Sequence, residues 1–310
     1  VRARTAGRLL GAAALTGAAA LAWGVVERGL YTLREVTVPV LPPGAEPLRV
    51  LHISDLHLTP FQDDKIAWVR DLAGLEPDLV VDTGDNMAHP DVLPSLLHAL
   101  DPLLGVPGAF VMGSNDYYAP APKNPLRYLT HRNTPPQTAP ENPLPAGELA
   151  AAMRMAGWID LTNRRDTVEA GGHRISLVGV DDAHLDRDRF PAPAPEDTDE
   201  GPTALHLGVA HAPYRRVLDA MHADGTDLVM AGHTHGGQVC VPWWGALVTN
   251  CDLDTRRVKG LHGWPGPRPD APGGAGSTWM HVSAGLGTSP YAPVRFACRP
   301  EATLLTLVPR

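Results

Sequence analysis

The sequence predicts an α/β fold whose chemistry-bearing residues gather at the carboxyl ends of strands. Three observations lead there. Five short apolar runs end abruptly in residues that can bind metal: residues 49–54 lead into Asp55-Leu56-His57, 78–81 into Asp82-Thr83-Gly84-Asp85, 109–112 into Gly113-Ser114-Asn115-Asp116, 207–210 into His211, and 227–231 into Gly232-His233-Thr234-His235. Segments with helical spacing lie between the first runs, with Ile66, Val69, Leu72 and Leu75 marking 64–75 and a second segment at 92–104. Alternation of strand and helix places a site where such sheets present the ends of their strands.

The elements follow in order. Arg2, Arg4 and Arg8 precede residues 9–26, an apolar stretch without a charge that reaches the lower limit of a membrane-spanning helix. The arginines put the N-terminus in the cytoplasm and send the rest of the chain across the cell membrane, so the catalytic domain is expected to be extracytoplasmic. The small residues at 18–22 offer the competing reading, a signal peptide that is cleaved to give a secreted protein. The retained anchor is preferred. Residues 1–29 are thus an anchor or signal segment, 30–46 a connector, and 47–310 one domain that begins with a buried strand at 46–54. Within it, 119–147 carries eight prolines and reads as an irregular insertion, a lid or cap over the site or else a surface loop. Residues 148–157 are helical, 173–180 form a strand ending at Asp181-Asp182, and a proline-rich acidic loop spans 190–202. Then come a strand at 204–210, a helix at 217–221, a strand at 227–231, and closing strands at 277–283 and 302–308.

Composition narrows the function classes. A hydrophobic fraction of 44% and a charged fraction of 19% suit a globular core. The formal net charge of −8, with no long basic run, argues against nonspecific binding of nucleic acid, which depends on neutralising phosphates. Cys240, Cys251 and Cys298 form no Cys-x-x-Cys pair, so neither a disulfide framework nor a zinc ribbon is implied, although a Cys240 to Cys251 bridge is geometrically conceivable.

Two histidines at i and i+2 are by themselves commonly a surface pair. The five converging segments change that reading for His233 and His235. Two divalent ions need about four to six protein ligands, and a shared carboxylate holds them roughly 3.5–4 Å apart. Asp55, His57, Asp85, His211, His233 and His235 supply such a set, with Asp85 suited to bridge. Oxygen and nitrogen donors without thiolate suit Mn, Fe or Zn. Asp82, Asp116 and Asp181 are candidates to orient the imidazoles. His52 and His206 lie in strands whose alternation turns them outward, and His98, His173, His184, His222, His262 and His281 have no ligand context.

Taken in this order, Asp55-x-His57, Gly84-Asp85, Gly113-Ser114-Asn115-Asp116, His211 and Gly232-His233-Thr234-His235 resemble the calcineurin-like metallophosphoesterases across about residues 47–309. The strings Gly232 to Gln238, Ser283 to Ser289 and Arg295 to Glu301 resemble its membrane-associated bacterial branch, which groups with phosphodiesterases similar to those that hydrolyse UDP-2,3-diacylglucosamine. The resemblance implies a four-layer αββα sandwich of two mixed β-sheets flanked by helices. It implies two divalent metal ions (Mn, Fe or Zn), with Asp55, His57, Asp85 and His235 around one and Asp85, an Asn, His211 and His233 around the other. It also implies a metal-bridging hydroxide that attacks phosphorus in a phosphodiester or pyrophosphate, with a lipid-linked or nucleotide-sugar molecule among the candidate substrates.

One motif departs from the family pattern Gly-Asn-His-Asp/Glu. Strict register puts Ser114 at the ligand position and Asn115 at that of the catalytic His. Asn115 is preferred as ligand because an amide oxygen is the better neutral donor to a hard ion. Asp85, Asn115 and Asp116 are the residues expected to bear on catalysis, and no substrate-binding residue is legible. In either register the His is missing, and with it a general acid worth roughly 10²- to 10⁴-fold. The chain would then favour leaving groups that need little protonation, unless His89 or His131, each read as exposed, substitutes. The missing His also motivates the alternative, a catalytically weak, metal-binding, membrane-tethered interaction module. A nuclease or protein phosphatase is a further rival, the former disfavoured by the acidic charge.

Overall fold

The computed structural model describes residues 2–122, 142–193 and 202–310, and in the first helix the side chains of Gly11 and of residues 14 onward. Helix α1 (Arg2–Glu27) leads into β1 (Thr32–Leu41), so the stretch expected as a connector holds an edge strand instead. The first sheet also contains β2 (Leu48–Ile53), β3 (Leu79–Asp82), β4 (Gly108–Phe110), β5 (Ile159–Asp160) and the C-terminal β14 (Glu301–Pro309). Its order is β1-β14-β2-β3-β4-β5, with β2 to β5 parallel and β14 antiparallel to β2. The second sheet holds β6 (Arg164–Ala170), β7 (His173–Gly179), β8 (Leu205–Ala210), β9 (Leu228–Ala231), β12 (Gly260–Trp264) and β13 (Thr278–Val282) in the order β12-β13-β9-β8-β7-β6. A two-stranded hairpin, β10 (Cys240–Val241) with β11 (Gly245–Ala246), stands apart.

Period-two alternation splits each buried strand between two cores. Val50 of β2 and Leu207 and Val209 of β8 meet between the sheets, with Val81, Ala109, Met230 and Leu305. Leu51 and Ile53 face the other way, onto helices α2 (Asp63–Asp71), α3 (Leu93–Leu100) and α5 (Ala146–Met155), which contribute Ile66, Val69, Leu96, Leu100, Leu149 and Met153. Ala210 and Val229 face α6 (Arg215–Ala223) through Val217, Leu218 and Met221. The architecture is therefore the four-layer αββα sandwich. The helical stretch at 64–75 is α2 followed by a 3₁₀ turn, Leu72–Leu75. The short strands β5 and β10 to β12 carry no repeated apolar pattern and escape a reading based on periodicity.

Two expectations need separate statements. Among the described residues no helix is long and apolar enough to cross a membrane. The expected anchor at 9–26 lies in part outside the described side chains, since residues 9, 10, 12 and 13 are not among them. Most of the insertion at 119–147, with His131, lies outside the described residues as well. Its described ends are held together, Tyr118 bridging to Pro143 and the Ala119 N–H donating to the Asn142 carbonyl at 2.9 Å.

Candidate metal centre

The loops that follow β2 and β3 are zipped together by backbone hydrogen bonds. The Asp55 and His57 N–H groups donate to the carbonyls of Gly84 and Asp85, at 2.8 and 2.9 Å. The loop after β9 joins them from the other sheet, its His233 N–H donating to Asp55 Oδ2 at 3.0 Å. This brings together all six Asp and His residues expected as ligands. His57 Nε2 and His211 Nε2 each lie 3.4 Å from an oxygen of Asp85, on Oδ2 and Oδ1 respectively. His235 Nε2 lies 3.6 Å from Asp55 Oδ1. The donor atoms of Asp55, His57 and His235 fall within 4.8 Å of one another, as do those of Asp55, Asp85 and His211.

Asn115 lies beside Asp85. The short helix α4 (Ser114–Tyr117) aims the Asn115 amide Nδ2 at Asp85 Oδ2, 2.8 Å away, while its backbone N–H donates to Oδ1 at 2.7 Å. Asp116, expected among the catalytic residues, has a different role. It is fully buried, and its carboxylate accepts the N–H groups of Asp85, Asn86 and Gly113 at 2.8 to 2.9 Å, so it builds the loop that carries Asp85. Asp82 accepts from Gly84 N–H, and Asp181 accepts from Tyr117 and Arg187. None of the three orients an imidazole. Backbone carbonyls do so: His211 Nδ1 meets Thr83 O at 2.8 Å and His233 Nε2 meets Asn250 O at 3.1 Å, which turns the other nitrogen of each ring inward.

The electrostatics suit a cation. Burial lowers His57 to about 4 against the opposing pull of Asp85, and burial also holds His233 and His235 well below the usual histidine range, so these rings are neutral and able to ligate a cation. Burial resists charge on His211, yet the Asp85 carboxylate outweighs it and shifts that ring well above the usual histidine range. Burial raises Asp55 to about 6, and His211 works against the shift. Two pairs of imidazole nitrogens face each other at 3.2 Å, His57 Nε2 with His235 Nε2 and His211 Nε2 with His233 Nδ1. Lone pairs so close need a proton or a metal ion between them, and the donor set fits divalent metal.

The backbone adapts to this convergence. Asp55, His57, Asp85, His233 and His235 all have positive φ, between 40° and 68°. Residues other than glycine rarely adopt that region, and such outliers cluster at functional sites. Gly84 (φ 87°) has a further reason to be glycine, because a Cβ there would sit 2.5 Å from Gly113 N. Gly84→Ala is expected to destabilise the chain by about 2–4 kcal/mol, read as a lowered urea midpoint. An unchanged midpoint would show that the two loops can part without cost.

Several supporting residues carry no motif. Lys65, on α2, is buried and donates to Leu56 O at 2.8 Å, beneath the Asp55 to His57 loop. Arg295 is fully buried, and its guanidinium donates to the carbonyls of Ala284, Gly285 and Gly287, holding that loop against Asp55. His184, read as lacking ligand context, packs against His233 with ring centroids 4.7 Å apart and meets the Tyr214 hydroxyl at 3.0 Å. His52, expected to face outward, is buried between the sheets against His281. His89 is exposed. All three cysteines are free, so the Cys240 to Cys251 bridge does not form; Cys240 and Cys298 instead flank the Gly236 carbonyl, at 3.2 and 3.5 Å.

The model of the calcineurin-like phosphoesterase family matches residues 48–237, a span that contains every residue of this cluster. The chain belongs to the calcineurin-like phosphoesterases. As a member it is a hydrolase of phosphoester bonds, and the family implies divalent metal ions. It is 26% identical to phosphodiesterase YaeI of Escherichia coli over 97% of this chain and 98% of that protein. It is 29% identical to the uncharacterised protein YpbG of Bacillus subtilis over 85% and 82%. It is also 26% identical to the UDP-2,3-diacylglucosamine pyrophosphatase LpxG of Chlamydia trachomatis over 83% of each chain. Among solved structures it is similar to a purple acid phosphatase from yellow lupin seeds, with 14% identity, a TM-score of 0.43, and coverage of 83% of this chain and 46% of that one.

Proposed function

We propose that the chain is a dinuclear phosphohydrolase that cleaves a phosphodiester or pyrophosphate. Asp55, His57, Asp85 and His235 would hold one divalent ion, and Asp85, Asn115, His211 and His233 would hold the other. The observation that carries this reading is the position of Asp85, whose two oxygens face His57 on one side and His211 on the other, each at 3.4 Å. Two divalent cations there would supply Lewis acidity toward water and phosphoryl oxygen. The chain's own residues fix the rest. Asp116 holds the Asp85 loop, carbonyls set the tautomers of His211 and His233, and with Asn115 on metal no histidine stands in that loop to donate a proton as an acid. Leaving groups of low basicity, such as a phosphate released from a pyrophosphate, suit that site.

The relative named for UDP-2,3-diacylglucosamine supports a lipid-linked or nucleotide-sugar substrate. A membrane anchor at α1 supports the same class. Its described side chains Leu15, Leu21, Val25 and Val26 are exposed at 75%, 61%, 43% and 54%, and exposed apolar side chains of this kind suit a lipid environment. The domain would then sit on the extracytoplasmic side.

Hydrolysis of bis(p-nitrophenyl) phosphate with added Mn tests the enzymatic reading. No turnover with any divalent metal, in a folded sample holding two metals per chain, would leave the interaction module as the better account. Chelation is expected to lower the Tm by about 5–10 °C, because it removes a ligand bound only to the native state, and Mn or Zn should restore it. A Tm indifferent to chelator would exclude metal from the cluster.

A further inference from the structure

The hairpin β10–β11 ends in two tryptophans that the fold does not use. Trp243 is 105% exposed and Trp244 81%, and Trp243 also has positive φ (64°), which is costly for a bulky side chain. Among the described residues, nothing in the packing of the domain rewards an arrangement that costs both exposed aromatic surface and backbone strain. Val239, Val241, Leu247 and Tyr291 add exposures of 43–57% around them, so the surface is a patch rather than a single residue.

The patch is continuous with the end of α1. Residues 294–298 lie between the two, with Arg295 N–H donating to Gly24 O at 2.9 Å on one side and Cys240 N–H donating to Phe296 O at 2.8 Å on the other. Glu27, in the last turn of α1, accepts the N–H groups of Ala297 and Cys298 at 3.0 and 2.7 Å, and it also accepts from the indole of Trp23, itself 47% exposed. An open groove of about 780 Å³ runs beside the hairpin, lined by Trp243, Trp244, Arg256 and Lys259 and reaching Gly236, next to His235. Its charged lining residues are both cations.

We propose that this face rests on an anionic bilayer, with Trp243 and Trp244 at the headgroup boundary and Arg256 and Lys259 against lipid phosphates. Indoles favour that boundary because one part of the ring is apolar and the N–H is polar, and cations add attraction to anionic lipid. The mouth of the groove then faces the lipid surface, and a substrate carried in the bilayer reaches the His235 loop without leaving it. This deepens the membrane part of the proposed function and rests on α1 lying in the same bilayer.

The test uses the full chain reconstituted in vesicles of phosphatidylglycerol and acyl-brominated phosphatidylcholine, with bromine quenching of tryptophan emission as the readout. The protein has seven tryptophans. Trp23, Trp243 and Trp244 are the exposed ones, the others being buried or half-buried. Wild type is expected to lose about twofold more of its emission than Trp243→Ser/Trp244→Ser, with hydrolysis of bis(p-nitrophenyl) phosphate equal in the two. Equal fractional quenching in both, removed by Trp23→Phe, would overturn the hairpin proposal and leave the anchor standing. No quenching in any of them would overturn both. Quenching that persists unchanged when phosphatidylglycerol is replaced by phosphatidylcholine would overturn the role given to Arg256 and Lys259.

Discussion

Asp85→Asn is expected to lower kcat for bis(p-nitrophenyl) phosphate by more than about 10²-fold, with metal content falling below two ions per chain. Losing a group that merely orients a metal ligand costs about 10- to 100-fold, and Asp85 stands one step closer. Its oxygens lie 3.4 Å from His57 and His211 and accept both hydrogen bonds from Asn115. An amide keeps the size and removes the charge, and it turns an N–H₂ toward one of those partners. Steady-state kinetics together with elemental analysis measure both effects. Turnover equal to wild type would show that the cluster is not the source of activity.

Asp116→Ala is expected to be the most damaging substitution for stability, at about 3–6 kcal/mol by urea denaturation. Three buried N–H groups, of Asp85, Asn86 and Gly113, would lose their acceptor. Each orphaned donor costs about 1–3 kcal/mol, and partial relaxation keeps the total below the sum. Asp116→Asn retains an acceptor oxygen and is expected to lose about half as much. A loss under about 1 kcal/mol for the Ala variant would mean that solvent reaches the loop and replaces the carboxylate.

The sandwich was legible because its central strands are apolar runs bounded by polar loops, and the helices between them keep their 3.6-residue period. The site was legible for a related reason. Ligands placed at strand ends leave short Asp, His and Gly strings after each run, as at 55–57, 84–85 and 232–235. What the sequence hid was of three kinds. The β10–β11 hairpin is half exposed and lacks the apolar pattern, and β1 alternates only through Val36, Val38 and Val40 after an exposed, charged first half, so 30–46 reads as a connector. Groups that act through the backbone leave no mark on residue type: the carbonyls of Thr83 and Asn250 orient imidazoles, where Asp82, Asp116 and Asp181 had seemed the natural acceptors. Asp116 illustrates the difference, since a carboxylate beside a metal motif suggests chemistry, and its three N–H partners emerge only once the loops are folded. His184 was hidden for a third reason, because only the packing of two loops from one sheet brings it onto His233.

The five left-handed residues at Asp55, His57, Asp85, His233 and His235 set stability and ligation against each other. Glycine at any of them would relieve roughly 1 kcal/mol of backbone strain and delete a donor atom. A library of variants selected for heat resistance in the presence of a chelator would therefore drift toward glycine and asparagine at these positions, emptying the centre as it stabilised the scaffold. Selection that also demands turnover would hold all five in place, and the contrast between the two outcomes would mark each position as kept for its side chain rather than for the fold.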